Sequence, residues 1–190
     1  DMKKISLLMA LAVLGTGMLS EARGEVLNTT KSEIKWTGKK IGSSHYGGID
    51  LIKGELVLDG NKISSGTFVL DMTSITNADI ESEQYNQKLV GHLKSEDFFN
   101  VEKYPESSLR IKKSAPFEEN KAKVSADLTI KGITEEISFD VVREGSMYTA
   151  LVNVDRSKFD VRYGSKSFFN DIGDKAIDDI FTMEVTMFMD

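Results

Sequence analysis

Cysteine is absent from all 190 residues, which excludes disulfides, thiolate metal sites, thiol nucleophiles and a lipid-modified amino-terminal cysteine. Folding of this chain therefore does not depend on oxidation. Histidine is nearly as scarce. Only His45 and His92 occur, with no third residue at metal-ligand spacing beside either, so no zinc site is expected. A basic excess is missing too: 24 Lys plus Arg stand against 30 Asp plus Glu, a net charge of -6. These charges are spread along the chain rather than gathered in a stripe, which argues against a nucleic-acid partner. No strand leads into a glycine-rich loop and then a helix, so nothing is built to cradle phosphates of a nucleotide cofactor.

Long apolar runs are also lacking. The run from Ile5 to Leu14 is too short to span a bilayer, and no transmembrane span is expected. Lys3 and Lys4 precede it and small residues follow, ending in Ser20-Glu21-Ala22-Arg23-Gly24. That is the pattern of a secretory signal peptide. Residues 1–22 read as the leader, with cleavage after Ala22 or Gly24, and residues 25–190 as one domain of ordinary size. The mature protein is then expected in the periplasm or outside the cell.

What remains alternates. From Ser32 onward, polar and apolar residues exchange places every second position between Gly, Asn and Asp punctuation, the period of half-buried strands. Eight strands are predicted: Ser32–Lys40, Asp50–Asp59, Lys62–Thr73, Ser107–Ser114, Lys121–Lys131, Glu135–Arg143, Ser146–Asp155 and Asp179–Met189. Asp59-Gly60-Asn61, Lys131-Gly132 and Glu144-Gly145-Ser146 supply the positive-φ residues of tight hairpins, so neighbours are mostly antiparallel.

Alternation stops between Asn77 and Pro105. There Leu89, Val90, Leu93, Phe98 and Phe99 follow helical spacing, and Ser95 with Glu96 and Asp97 has the form of a fresh N-cap and acidic first turn. Two helical pieces with a break near Lys94 are predicted. The stretch Arg156–Asp178 is long for an irregular connection, which marks it as functional or partly folded.

Eight consecutive antiparallel strands close most economically into a barrel, because closure removes exposed edges and leaves room for one small ligand; a two-sheet sandwich is the alternative. The alternating faces favour the barrel with a cavity. They carry Phe68, Leu70 and Met72 on one strand, Val124, Ala126, Leu128 and Ile130 on another, and Phe181, Met183, Val185, Met187 and Met189 on the last. Methionine is flexible and polarizable and suits an irregular surface that accepts a chain-like guest, although such a stripe is also ordinary core.

Residues that could carry chemistry are few. His45 lies in Gly42-Ser43-Ser44-His45-Tyr46-Gly47-Gly48 without the strand-turn-helix context of a nucleophile elbow and with no sequence-adjacent acid, so it is expected at a turn or portal. His92 is expected to cap or orient the helical segment. Asp171, Asp174, Asp178 and Asp179 do not follow calcium-loop spacing and read as solvated surface. Arg156, Lys158, Arg162 and Lys166 could meet an anionic head group at a barrel mouth, although each alone reads as surface charge.

Gly91-His92-Leu93-Lys94-Ser95-Glu96-Asp97-Phe98-Phe99-Asn100 with Tyr104-Pro105 resembles the helix signature of the YceI-like, polyisoprenoid-binding family. Val124-Ser125-Ala126-Asp127-Leu128-Thr129-Ile130-Lys131-Gly132-Ile133-Thr134 resembles its strand and turn. Val154-Asp155-Arg156-Ser157-Lys158-Phe159 with Tyr163-Gly164 resembles its late loop. Trp36, Gly38 and Gly54 also fit, and the ordered set covers essentially the whole mature chain.

The resemblance implies an all-β, eight-stranded antiparallel, lipocalin-like barrel with a short helical cover, which holds an isoprenoid, a quinone-type tail or another long-chain amphiphile and does no chemistry on it. The implied apolar tunnel carries over to Trp36, Phe68, Leu70, Met72, Leu93, Phe98, Phe99, Leu128, Ile130, Phe139 and Met183. His45, Arg156 and Arg162 are the mouth candidates. Asp127 replaces the glycine usual in the family, and would narrow the tunnel if it faced inward. No cofactor beyond the bound lipid is implied, and pairing of two barrels into a homodimer is left open. The competing readings are a periplasmic lipid-modifying hydrolase or isomerase using His45, and a structural module whose barrel is simply filled.

Overall fold

The computed structural model describes residues 22–169, 173 and 176–190; the leader reading at residues 1–21 and the carboxylates Asp171 and Asp174 lie outside them. The described residues form nine strands: β1 (Ala22–Val26), β2 (Glu33–Lys40), β3 (Ser43–Asp59), β4 (Lys62–Asp71), β5 (Glu106–Ser114), β6 (Lys121–Ile130), β7 (Ile133–Glu144), β8 (Met147–Asp155) and β9 (Ile180–Phe188). Each pairs antiparallel with its neighbour in the order β2-β3-β4-β5-β6-β7-β8-β9, and β9 returns to β2 through Glu33↔Thr186 to Thr37↔Thr182. The result is a closed eight-stave barrel.

The ninth strand adds no stave. β1 runs against the late part of β3, from Ala22↔Asp59 to Val26↔Glu55, while β2 runs against its early part. Val26 and Asp190 exchange backbone hydrogen bonds, and Asn28 N–H donates to the Phe188 carbonyl, so β1 also meets the end of β9. β1 and β2 are therefore one stave interrupted at residues 28–32. The alternation rule missed β1 because five residues, Ala-Arg-Gly-Glu-Val, hold too few apolar positions to show a period, and they follow directly on the leader pattern.

The hairpin glycines behave as their turns require: Gly60, Gly132 and Gly145 all have positive φ, as does Lys131, so Lys131-Gly132 closes β6–β7 in the primed geometry that matches strand twist. β3 starts at Ser43, not at Asp50. The Gly-rich stretch around His45, expected as a turn or portal, is extended because Lys40↔Ser43 through Ile34↔Ile49 pair along β2. Gly47 has a further reason to lack a side chain, since any Cβ there would collide with the Thr76 carbonyl that crosses over it.

Among the described residues one α-helix forms, α1 (Glu83–Lys94), and the second expected piece does not. Ser95 closes α1 rather than opening a new helix: its N–H and its Oγ both donate to the His92 carbonyl. Residues 96–103 continue as turns, with Asn100 at φ 49° and Phe98, Asn100 and Val101 N–H groups folding back on Ser95 and Lys94 carbonyls. The helical spacing of Leu93, Phe98 and Phe99 arises because all three dock on one apolar surface. Arg156–Phe159 forms a 3₁₀ turn capped by Asp155, so the long connection is partly folded. Among the described residues no helix is long and apolar enough to cross a membrane.

Candidate functional site

The inner face of the staves encloses a cavity of about 180 Å³. On β4 its lining runs from Ile63 to Leu70, roughly 20 Å of strand at the usual rise. Every tunnel candidate lies on this lining: Trp36, Phe68, Leu70, Met72, Leu93, Phe98, Phe99, Leu128, Ile130, Phe139 and Met183. Those among them that lie on staves occupy inward positions, which recur at every second residue of a strand. Phe181, Val185 and Met187 also face the cavity, whereas Met189 is buried in the packing below it, bridged to Leu27. Asp127 points outward, where it binds Arg110 at 2.8 Å and Lys112 at 3.6 Å. It narrows nothing.

At one end the tunnel is closed by a buried polar pair. Tyr148 Oη donates to Glu25 Oε2 at 2.8 Å, and Arg143 stands 3.7 Å from the other carboxylate oxygen. Burial pushes the Tyr148 phenol well above its ordinary range, and the Glu25 carboxylate adds to the shift. Glu25 is 6% exposed, which shows that β1 plugs the barrel as well as extending a stave.

The other end is covered by segment 72–79, α1 and the turns after it. Trp36 Nε1 donates to the Thr76 carbonyl at 3.0 Å. Thr76 N–H donates to the Gly48 carbonyl, and Asn77 Nδ2 donates to the Tyr46 carbonyl. His45 fastens the same cover: its Nδ1 lies 2.8 Å from Asp79 Oδ2. Burial alone would raise the Asp79 pKa, but hydrogen bonds from Tyr46 N–H, His45 and Asn77 outweigh it and hold the carboxyl below its ordinary value. His45 thus has an acid partner 34 residues away, and its ring is not on the cavity lining. Leu93, Phe98 and Phe99 fill the remaining gap, with Phe98 and Phe99 edge to face at 5.0 Å. The His92 ring packs edge-on between Phe98 and Tyr163, with centroids at 5.8 and 4.3 Å, so it orients the cover through its ring.

Arg156 does reach the lining, but not as a free cation. It is 2% exposed. Its Nε donates to Asp178 O, Nη1 to Val161 O and Tyr163 O, and Nη2 to Ile177 O, all within 3.1 Å. The remaining edge faces Asp179 at 3.4 Å. The guanidinium pins the loop after β8 against the barrel rim, and its face covers the Phe98 ring at 5.4 Å. Arg162 is exposed and bound to Asp160, away from the lining. Lys158 and Lys166 are likewise exposed. Asp179, expected as solvated, is half-buried, and Ser167 Oγ donates to it.

Two positions of the candidate site are absent from the sequence-based expectations. Glu25 carried no signal. Ser107 did: it occupies the inward row of β5 with Leu109 and Ile111, where a hydroxyl in an apolar series is conspicuous.

The YceI-like domain family matches residues 26–188. Among solved structures, BcnA of Burkholderia cenocepacia superposes with a TM-score of 0.66 at 21% identity, covering 85% of this chain and 98% of that one. A polyisoprenoid binding domain from Saccharophagus degradans, implicated in plant cell wall breakdown, gives a TM-score of 0.59 at 14% identity, covering 87% and 97%. No curated protein sequence matches.

Proposed function

This chain belongs to the YceI-like domain family, and from that premise we propose that it is an exported carrier that holds one long-chain isoprenoid, quinone-type or other amphiphilic lipid inside the barrel without altering it. The observation that carries the reading is the apolar cavity running inside a closed barrel, from the Phe98–Phe99 cover to the Tyr148–Glu25 plug. A filled structural module would have no such space. Burial of a chain-like guest there contributes about 25 cal/mol per Å² of apolar surface removed from water, which makes a catalyst or charged anchor unnecessary for affinity. The solved relative described as a polyisoprenoid binding domain shares the barrel.

Binding is favoured over conversion because the histidine–carboxylate pair with the geometry for proton transfer, His45–Asp79, is spent on fastening the cover and stands off the lining. The reading includes export by the amino-terminal leader; cleavage after Ala22 keeps Arg23–Val26 of β1, whereas cleavage after Gly24 leaves only Glu25 and Val26 of that strand. The test is native mass spectrometry of the mature protein purified from an exporting host, followed by organic extraction. One long-chain lipid per barrel is the expected result. Protein that comes off empty and takes up no added isoprenoid or quinone would overturn the carrier reading.

A further inference from the structure

Ser107 stands beside Leu70 of β4 at the covered end of the tunnel, two residues from Pro105, whose carbonyl accepts the Met72 N–H. Its residue is 4% exposed and its Oγ has no hydrogen-bond partner. Among the buried, unpartnered side-chain polar atoms of the described residues, it is the one on the cavity lining. A buried hydroxyl normally finds a partner, because leaving it unpaired is costly. An enclosed water needs two to four polar contacts, and a lining made almost wholly of apolar side chains offers few. The remaining partner is the occupant of the tunnel.

The chemistry of that occupant follows from the charges. Arg156 is the single Lys or Arg side chain on the lining among the described residues, and four backbone carbonyls and Asp179 already engage its fork. A phosphate drawn inside would have no cation to pair with, and a buried unpaired anion is heavily penalised. A phosphate left outside would set an alkyl chain against Ser107 and leave its hydroxyl unpaired.

Resting on the carrier reading, we infer that Ser107 anchors an uncharged oxygen of the cargo, of the ketone, ester, amide or alcohol type, beneath the Phe98–Phe99 cover, and that a polyprenyl phosphate or diphosphate is not the preferred guest. The serine hydroxyl can donate to a carbonyl or exchange with an alcohol, so its demand is for oxygen and not for charge.

The experiment titrates the wild-type protein and Ser107→Ala with a prenylquinone, a prenyl diphosphate of the same chain length and the matching hydrocarbon. Trp36, the sole tryptophan and a lining residue, reports binding by its fluorescence. The quinone is expected to lose about fivefold in affinity in Ser107→Ala, the worth of one neutral hydrogen bond. The hydrocarbon should bind both proteins alike, and the diphosphate should bind the wild type less well than the quinone. An unchanged quinone affinity, or a diphosphate that binds best, overturns the inference while leaving the carrier intact. Failure of all three to bind overturns the carrier reading itself, and the inference with it. Ser107→Ala should also melt at or above the wild-type temperature; a clearly lower value would mean that Oγ has a partner within the protein, and would overturn the assignment as well.

Discussion

A single arginine decides how the rim of this barrel is held. Arg156 meets carbonyls at positions 161, 163, 177 and 178, so one planar fork stitches both ends of the irregular loop to the end of β8. Burial draws its pKa down, and Asp179, Asp155 and Asp178 work against that; the group is nonetheless a cation in any ordinary buffer. Lysine carries the same charge but has three donors on a point-like head, and cannot reach four carbonyls arranged around a plane. Arg156→Lys should therefore lower unfolding stability by about 2–4 kcal/mol through stranded buried carbonyls, read from urea melts of the apo protein. An equal midpoint would show that the loop is held by other means. From sequence this residue reads as surface charge or as a candidate for a head group at the mouth; it is 2% exposed instead, and nothing in a string of letters says that its donors are consumed by backbone.

At the scale of elements, strands were legible wherever one face is buried, since alternation is imposed by the pleat. The inward series Val124, Ala126, Leu128 and Ile130 on β6 and Phe181 to Met187 on β9 are legible in this way, whereas the set of tunnel candidates rests on the family resemblance. What was not legible depends on contacts far away in the chain. β1 is a strand because β3 outlasts β2 and because Asp190 and Phe188 offer partners. The turns after Lys94 resemble a helix in sequence because docking on a curved apolar lip selects the same residue spacing. That cover is the element whose loss should show in retention of cargo. Phe98 is 7% exposed, touches both Phe99 and His92, and lines the tunnel. Phe98→Ala should cost about 3–5 kcal/mol of stability, as buried aromatics do, yet leave the strand signature of the circular dichroism spectrum unchanged. Lipid should leave the folded variant at least tenfold faster than the wild type in a transfer assay to vesicles. Equal release rates in a folded variant would show that the cover does not retain the guest.

For the molecule as a whole, acid is the condition to which the fold is most exposed. Thr73 hydroxyl lowers the Asp71 pKa; Arg110 and Lys121 do the same for Asp127 and Asp140 across neighbouring strands. At Asp179 burial works the other way, but Ser165, Ser167 and Arg156 prevail and its value too is depressed. Carboxyls depressed in the folded state bind fewer protons than in the unfolded chain, so their contribution is complete above the ordinary value near 3.8 and fades as pH falls through the folded values. The melting temperature should be flat from pH 7 to pH 5 and fall steadily below about pH 4. A protein that instead loses stability between pH 7 and pH 5 would show that these carboxyls do not govern the response to acid.

Closure through β2 and β9, with β1 tied to the final residue, also sets a timetable. Glu33 must wait for Thr186, and Val26 for Asp190, so the first stave to emerge during synthesis is the last to be completed. Pairings of such long sequence separation fold slowly, and in the interval the future lumen is an open, curved, apolar sheet with two unsatisfied edges. Such an intermediate invites aggregation, and a chain of this design is protected by a chaperone or by an early encounter with an apolar guest, around which the sheet can wrap and shut.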